Sequence, residues 1–331
     1  MPNLQLTFAS ALYDRMQPIY TSEVKPDGID LNFIRIEQPR PIFDRMSGGE
    51  EFDVAEYSSS EYVQRYANKK CPFVAIPVFP SRCFRHAFIG INKKKGIAKP
   101  KDLEGKRIGV ALYTMTAAIF IRGLLQHDFG VDLADVRWVE GALNEAKPHG
   151  HPTKLKLSRP VSIEANTSGQ SLSDLIATGE ISATIAPGLP KSANRDPNVG
   201  RLFPDYLARE KDYYRRTRIF PIMHTVVVRR DVYRANPWIA VSLTKAFAEA
   251  KRRVYDNLIT TSALTTMLPW QIAHVEDARR ELGEDWWPYG FASNRDVLDT
   301  FLRYHYEQGL SKRRLQPEEL FAPETLEAFK I

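Results

Sequence analysis

The sequence predicts an α/β protein of two lobes with two hinge crossovers and a ligand cleft between the lobes. Three features lead to this plan. Strand-like and helix-like stretches alternate through the first two thirds of the 331 residues, as sheets flanked by helices require. Two long apolar, β-branched runs, 73–79 and 220–229, lie far apart in the chain, and each has histidine and arginine at its rim. The last third turns to apolar residues at helical spacing, notably over 237–258 and 295–308. With 1–90 plus 222–331 as lobe one and 91–221 as lobe two, the chain leaves lobe one near 84–92 and returns near 220–229, and these two crossing strands would be neighbours.

Leu4, Leu6 and Phe8 alternate with polar neighbours as a first strand. A helix-like region follows over 9–15, and Ser10, Tyr13, Asp14 and Arg15 fall at the carboxyl end of that strand, where open α/β sheets bind ligands. A turn signal at 25–28 precedes a second strand over 29–36. A third short strand over 52–58 runs into a helix start at which Ser58, Ser59 and Ser60 offer capping hydroxyls, with Glu56 just before them. Residues 102–112 begin a new βα unit. Tyr113, Thr114 and Thr116 then open a helix whose free backbone N–H groups and positive dipole end favour a carboxylate, although the threonines could equally serve as caps. Residues 136–140 and 181–186 read as further strands, 171–178 as a helix, and 147–160 as a Pro-, Gly- and His-rich loop. His149 and His151 in that loop lack a partner cluster, so a solvated loop is the better reading than a metal site.

The segment 73–92 organises the rest. Its two apolar runs, 73–79 and 87–91, are interrupted by Pro80, Ser81, Arg82, Cys83, Phe84, Arg85 and His86. Two guanidiniums and an imidazole wedged between buried strands are costly unless the corner opens onto an anion; the plainer reading is a surface loop with ordinary ion pairs. On an extended backbone Arg82, Phe84 and His86 share one side and Arg85 faces the other, which puts Arg82 and His86 ahead as candidates. His224, at the entrance of the second long strand, would be brought to the same cleft. Trp286, Trp287, Pro288, Tyr289 and Gly290 form an aromatic corner that either packs lobe one or rims the cleft.

Composition narrows the partners. The net charge of +6 comes from 46 basic and 40 acidic residues scattered along the chain, which favours an acidic small molecule over nucleic acid. Two cysteines, Cys71 and Cys83, make neither a disulfide framework nor a zinc site. The chain opens directly into a strand pattern with no signal peptide, and no apolar stretch reaches the ~18 residues of a membrane span. The expectation is a cytoplasmic protein that binds neither membrane nor nucleic acid; exposed C-terminal helices could support a homo-oligomer.

At these residues the chain resembles the 4,5-dihydroxyphthalate decarboxylase family, cytoplasmic proteins with the fold of type II periplasmic solute-binding proteins. The likeness is carried by 73–86, 102–110, 113–118 with 121–125, 220–224 and 287–290. It implies loss of one carboxyl group from an aromatic dicarboxylate, most directly 4,5-dihydroxyphthalate to protocatechuate and carbon dioxide, in phthalate degradation. Direct loss would leave an aryl anion. Protonation of the ring carbon first, driven by an ionised para hydroxyl, avoids it. The chemistry needs an anchor for the spectator carboxylate, assigned to Arg82 and secondarily Arg85, shared with the helix start at Tyr113, Thr114 and Thr116 and with Ser58 and Tyr13. A proton donor is also needed, His86 or His224, with the other histidine, Asp14 or Glu56 handling the ring hydroxyls. Plain structural roles exist for each: His224 as a core histidine, Glu56 as a helix-start charge, Asp14 as a cap. No cofactor is expected, although a divalent metal held by His86, His224 and a carboxylate could polarise the catecholate. Two alternatives remain open at this point: a transporter's solute-binding component for an aromatic or dicarboxylic acid, or another cytoplasmic enzyme on the same fold.

Overall fold

The structure is a computed structural model and describes residues 2–68, 71–153 and 156–327; Lys154 and Leu155 of the expected 147–160 loop, and the last four residues of the expected lobe one, lie outside these. The first sheet has the order β2-β1-β3-β11-β4, with β1 Leu4–Ser10, β2 Ile29–Arg35, β3 Val54–Ser58, β4 Phe73–Arg82 and β11 Ile222–Arg229. β1 runs parallel to β2 and β3, and β11 runs antiparallel to β3 and β4. The second sheet has the order β10-β5-β9-β6-β7-β8, with β5 Ile89–Asn92, β6 Arg107–Val110, β7 Arg137–Glu140, β8 Ile163–Ala165, β9 Ala183–Ile185 and β10 Val199–Arg201. The chain passes from one sheet to the other after β4 and returns before β11.

Ten α-helices flank the sheets: α1 Gln17–Tyr20, α2 Pro39–Gly49, α3 Ser59–Ala67, α4 Thr116–Phe129, α5 Leu172–Thr178, α6 Tyr206–Thr217, α7 Arg230–Ala235, α8 Ile239–Ile259, α9 Gln271–Leu282 and α10 Arg295–Glu307. The region expected to be helix-like over 9–15 instead continues β1 to Ser10 and reaches only a 3₁₀ turn at Asp14–Met16. Ser58 caps α3 by accepting from the Glu61 N–H, and Ser171 caps α5 in a capping box with Asp174.

β4 is covered on both faces, which is why it reads as an almost unbroken apolar run rather than as an alternation. Pro77 and Pro80 lack N–H donors, so β4 sits at the sheet edge. There the C-terminal stretch covers it through Ala322 N–H to the Ala75 carbonyl (2.9 Å) and Gly290 N–H to the Pro77 carbonyl (2.8 Å). The pairing with β11 breaks register between Ile222 and His224 and again between His224 and Val226, so His224 lies at a bulge, a place where a sheet re-aims a side chain.

The two sheets meet where α3 and α4 begin. The Ser60 N–H donates to Thr116 Oγ1 (3.0 Å) and the Ser60 hydroxyl to the Thr114 carbonyl (2.6 Å). A helix after one sheet thus has its second N–H satisfied by the first residue of a helix after the other. The 147–153 segment is not fully solvated: the His151 N–H reaches Asp44 Oδ1 (3.1 Å) on α2 and Thr153 Oγ1 reaches Glu61 Oε2 (3.3 Å) on α3. Cys71 and Cys83 are both free. Among the described residues no helix is long and apolar enough to cross a membrane.

Behind the α3–α4 junction lies His305 on α10, fully buried with both ring nitrogens unpartnered. Burial drives its pKa down to about 3, so the folded protein holds it neutral whereas the unfolded chain protonates it near pH 6.5. Its contribution to stability is complete above pH 6.5 and lost as the pH falls toward 3. Denaturant unfolding at pH 7 and pH 5 is therefore expected to show a loss of about 2 kcal/mol from this side chain, and His305→Leu should flatten that slope; an unchanged slope would place the acid sensitivity elsewhere.

Candidate active site

The carboxyl ends of β1 and β3 and the bulge of β11 converge on one carboxylate. Glu56, in the middle of β3, is completely buried. Val226 lies directly opposite Glu56 and His224 opposite Ser58, so His224 and Glu56 are diagonal neighbours on one face. His224 Nδ1 lies 2.6 Å from Glu56 Oε1. Three further donors surround the same carboxylate: the Tyr13 hydroxyl to Oε1 (2.8 Å), and the Ser10 hydroxyl (2.9 Å) and the Ala11 N–H (3.3 Å) to Oε2. Burial by itself would push this acid up. The hydrogen bonds and charge of His224, with those from Tyr13 and Ser10, outweigh it and hold Glu56 below the usual carboxylate range. An ionised Glu56 fixes the imidazole with its proton on Nδ1 and stabilises the doubly protonated ring. Nε2 of His224 has no protein partner among the described residues, and the side chain remains 17 % exposed. Phe43 packs edge-on against the ring at 4.9 Å.

The corner after β4 departs from the expected period of two, because the strand ends at Arg82 and a 3₁₀ turn begins at His86. Arg82 is buried and committed. Nη1 donates to the Phe220 carbonyl (3.0 Å), and Nη2 to the Pro288 carbonyl (2.8 Å) and the Asn294 side chain. Burial without a carboxylate lowers its pKa to about 9. It fastens the corner to the 288–294 segment and has no fork left for a ligand. His86 also turns away: it packs against Phe203 and Tyr213, has Glu210 only at 3.9 Å, and is pushed by burial to about 4, which makes it a neutral core imidazole. It does not join His224, so the expected metal set of His86, His224 and a carboxylate is not assembled. Among the described residues no three His, Cys, Asp or Glu side chains are grouped to hold an ion.

Arg85, the second candidate of this corner, has different surroundings. It bridges the two sheets, with Nε toward Met223 Sδ (3.2 Å), beside His224, and Nη1 to the Pro187 carbonyl (3.1 Å) just past β9. It is 8 % exposed and burial lowers its pKa. No carboxylate pairs with it, and Nη2 has no protein partner among the described residues. A buried guanidinium of this kind is costly until an anion reaches it.

The remaining candidates separate by burial and partners. Tyr13 is half-buried, at the rim, and spends its hydroxyl on Glu56. Asp14 is mostly exposed and paired with Arg15 (2.9 Å). Ser58 caps α3 and lies 3.3 Å from Thr116 Oγ1. Thr116 is buried and accepts from Ser60, and Thr114 contributes its carbonyl to the same seam. Tyr113 is buried beneath the Arg122 guanidinium, 3.7 Å from its ring centroid, and its N–H donates to Glu140 (2.7 Å). Thr116 and Tyr113 therefore organise the junction rather than present free donors.

The aromatic corner packs on β4: Trp287 Nε1 donates to the Phe79 carbonyl (2.9 Å) and the Gly290 N–H to the Pro77 carbonyl (2.8 Å). Trp287 packs edge-on against Phe220 (5.4 Å), and Phe220 stacks on Phe84 (4.7 Å), giving a half-buried wall that ends beside Arg85. The role of Ser10 was legible only as a position, a hydroxyl at a strand end. Phe220 was visible as part of the second apolar run, but its stacking on Phe84 joins positions 136 residues apart in number and leaves no local pattern.

Comparison with known proteins is consistent with this geometry. A family model described as NMT1/THI5 like matches residues 26–149. The chain is 40 % identical over 337 aligned positions, covering all of both chains, to the 4,5-dihydroxyphthalate decarboxylase of Comamonas testosteroni. It is 38 % identical to that of Pseudomonas putida, over 65 % of this chain and 83 % of the relative. Among solved structures, the periplasmic aliphatic sulphonate binding protein SsuA of Escherichia coli superposes with a TM-score of 0.54 at 12 % identity, covering 98 % of this chain and 99 % of that one. The putative periplasmic sulfonate-binding protein SsuA of Methylobacillus flagellatus KT gives 0.52 at 14 %, with 98 % and 94 % covered. The fold is therefore the two-lobed periplasmic-binding-protein-like fold that the sequence predicts.

Because Arg82 is tied to three acceptors and to no acid, Arg82→Met is expected to act on folding. It would leave the Phe220 and Pro288 carbonyls and Asn294 unsatisfied at a cost of about 2–4 kcal/mol, read as a drop in thermal midpoint. A variant of unchanged stability but greatly weakened ligand binding would return Arg82 to the site.

Proposed function

The chain belongs to the 4,5-dihydroxyphthalate decarboxylase family, and from that premise we propose that it is a carboxy-lyase which converts 4,5-dihydroxyphthalate to protocatechuate and carbon dioxide by protonating the ring before the carboxyl group leaves. The contact between His224 Nδ1 and the buried Glu56 carboxylate carries this reading. A carboxylate fixed by four donors cannot turn away from the imidazole, so Nε2 is aimed by the fold itself.

In the proposed sequence Arg85 holds the spectator carboxylate with its unengaged Nη2, and the ring lies along Phe84, Phe220 and Trp287. A ring hydroxyl para to the departing group ionises and pushes an electron pair toward the carbon bearing that group. His224 Nε2–H delivers its proton to that carbon. The carbon–carbon bond then breaks, carbon dioxide departs, and its electron pair restores the aromatic ring. One proton is consumed per carbon dioxide, and His224 regains it from water. Through both protonation states Glu56 stays ionised and holds the imidazole in place. The apolar wall favours loss of the charged carboxylate as a neutral gas.

Purified protein incubated with 4,5-dihydroxyphthalate is expected to release carbon dioxide, before and after exhaustive chelation, and to release none from phthalate, which lacks the para hydroxyl. Binding without release would favour the solute-binding reading, and activity lost on chelation and restored by one ion would favour a metal-polarised catecholate. His224→Gln should lower kcat by about 10²–10⁴ with little change in KM. Glu56→Gln should do the same to a smaller degree, whereas Arg85→Ala should chiefly raise KM. Near wild-type turnover in His224→Gln would remove the proton-donor assignment.

A further inference from the structure

The decarboxylation reading asks for an ionised ring hydroxyl, and nothing assigned so far stabilises it. Arg15 lies beside the Glu56–His224 pair through Tyr13, whose hydroxyl binds Glu56 and whose ring centroid is 4.3 Å from the Arg15 guanidinium carbon. The Trp287 ring stacks on the other flank at 4.4 Å. Nε donates to the Pro80 carbonyl (2.6 Å) and Nη1 to Asp14 (2.9 Å). The guanidinium is thus held on four sides, while Nη2 has no protein partner among the described residues and the side chain keeps 15 % exposure.

Two phenols already feel this charge. Burial raises both Tyr13 and Tyr289, and Arg15 opposes the rise in each. Tyr289 is buried with its hydroxyl unpartnered. The charged and titratable groups around the position are Asp14, Glu56, Tyr13, Tyr289 and, toward Tyr289, Arg82. The aromatic wall runs from Trp287, which meets Arg15, through Phe220 to Phe84, the residue that precedes Arg85 in the chain. A flat ring laid along it would offer a carboxylate to Arg85 and its hydroxyl edge to Arg15.

Resting on the decarboxylase reading, we propose that Arg15 is a further catalytic residue that binds a ring hydroxyl of the substrate as its phenolate, the released proton passing to bulk buffer. A free phenolic hydroxyl is almost wholly protonated at neutral pH. A fixed cation within hydrogen-bond reach lowers such a pKa by about 1–3. Arginine suits the task because it stays charged throughout and its planar group stacks between two rings, which a lysine ammonium cannot do.

Protocatechuate carries both hydroxyls and phthalate carries none, so the pair isolates the effect. Calorimetric titration of the whole protein at pH 7.5 in two buffers of different ionisation enthalpy counts protons released on binding, and near-ultraviolet absorbance reports catecholate. Wild type is expected to release a fraction of a proton with protocatechuate, up to about three quarters at this pH, and to show the long-wavelength catecholate band. Arg15→Gln should lose both signals and bind protocatechuate at least ~10-fold more weakly, with phthalate affinity within twofold, and Arg15→Lys should keep part of the proton release. Unchanged proton release in Arg15→Gln would overturn this inference alone. An equal loss of affinity for both ligands would also overturn it and mark Arg15 as a packing residue. Failure of the wild-type protein to bind protocatechuate would overturn the decarboxylase reading and this inference together.

Discussion

Everything at the site depends on burying the Glu56 carboxylate. A carboxylate removed from water would ordinarily take up a proton, and a neutral acid could neither orient His224 nor stabilise its charged form. Four donors from two strands and the segment after β1 prevent that. Two of those donors come from the stretch between β1 and its 3₁₀ turn, so the early departure from helix that distinguishes 9–15 is what brings Ala11 and Tyr13 within reach. The cost of the arrangement is spread over backbone geometry that the sheet holds in any case.

The buried cations show how similar residues part company through their surroundings. Arg82 and Arg85 are three positions apart, both lack a carboxylate partner, and both have lowered pKa values. Arg82 ends β4 and meets three acceptors from the chain's own C-terminal half. Arg85 lies beyond the strand, between Met223 and Pro187, one contact on each side of the crossover. The first spends both terminal nitrogens on joining segments and keeps only a sealed Nε unpartnered, whereas the second keeps a terminal nitrogen unengaged. His86 and His224 divide in the same way: one imidazole loses its charge to an apolar surrounding, the other is given a carboxylate.

The seam between the sheets adds a constraint of its own. Ser60 and Thr116 sit at the starts of helices that follow different sheets; Thr116 Oγ1 accepts from the Ser60 N–H, and the Ser60 hydroxyl donates to the Thr114 carbonyl. The positive ends of both helices therefore face the same region, even though the individual hydroxyls of Thr116 and Ser58 are already occupied.

What the sequence determined by itself was the order and type of most elements, because β-branched runs, turn residues and helical spacing are local signals; 73–79, 171–178, 220–229 and 295–308 could all be read that way. It also determined that Tyr13 follows the first strand, that Glu56 lies just before the Ser58–Ser60 helix start and that His224 stands at the entrance of the second long strand. Only the tertiary structure decided which of the polar residues share a partner. The bulge at His224 lies in the pairing with the neighbouring strand, and Arg82 is claimed by carbonyls 138 and 206 positions away. The wall of Phe84, Phe220 and Trp287 likewise exists only once the crossover has folded back. Such pairings depend on through-space neighbours, and periodicity along one strand carries no information about them.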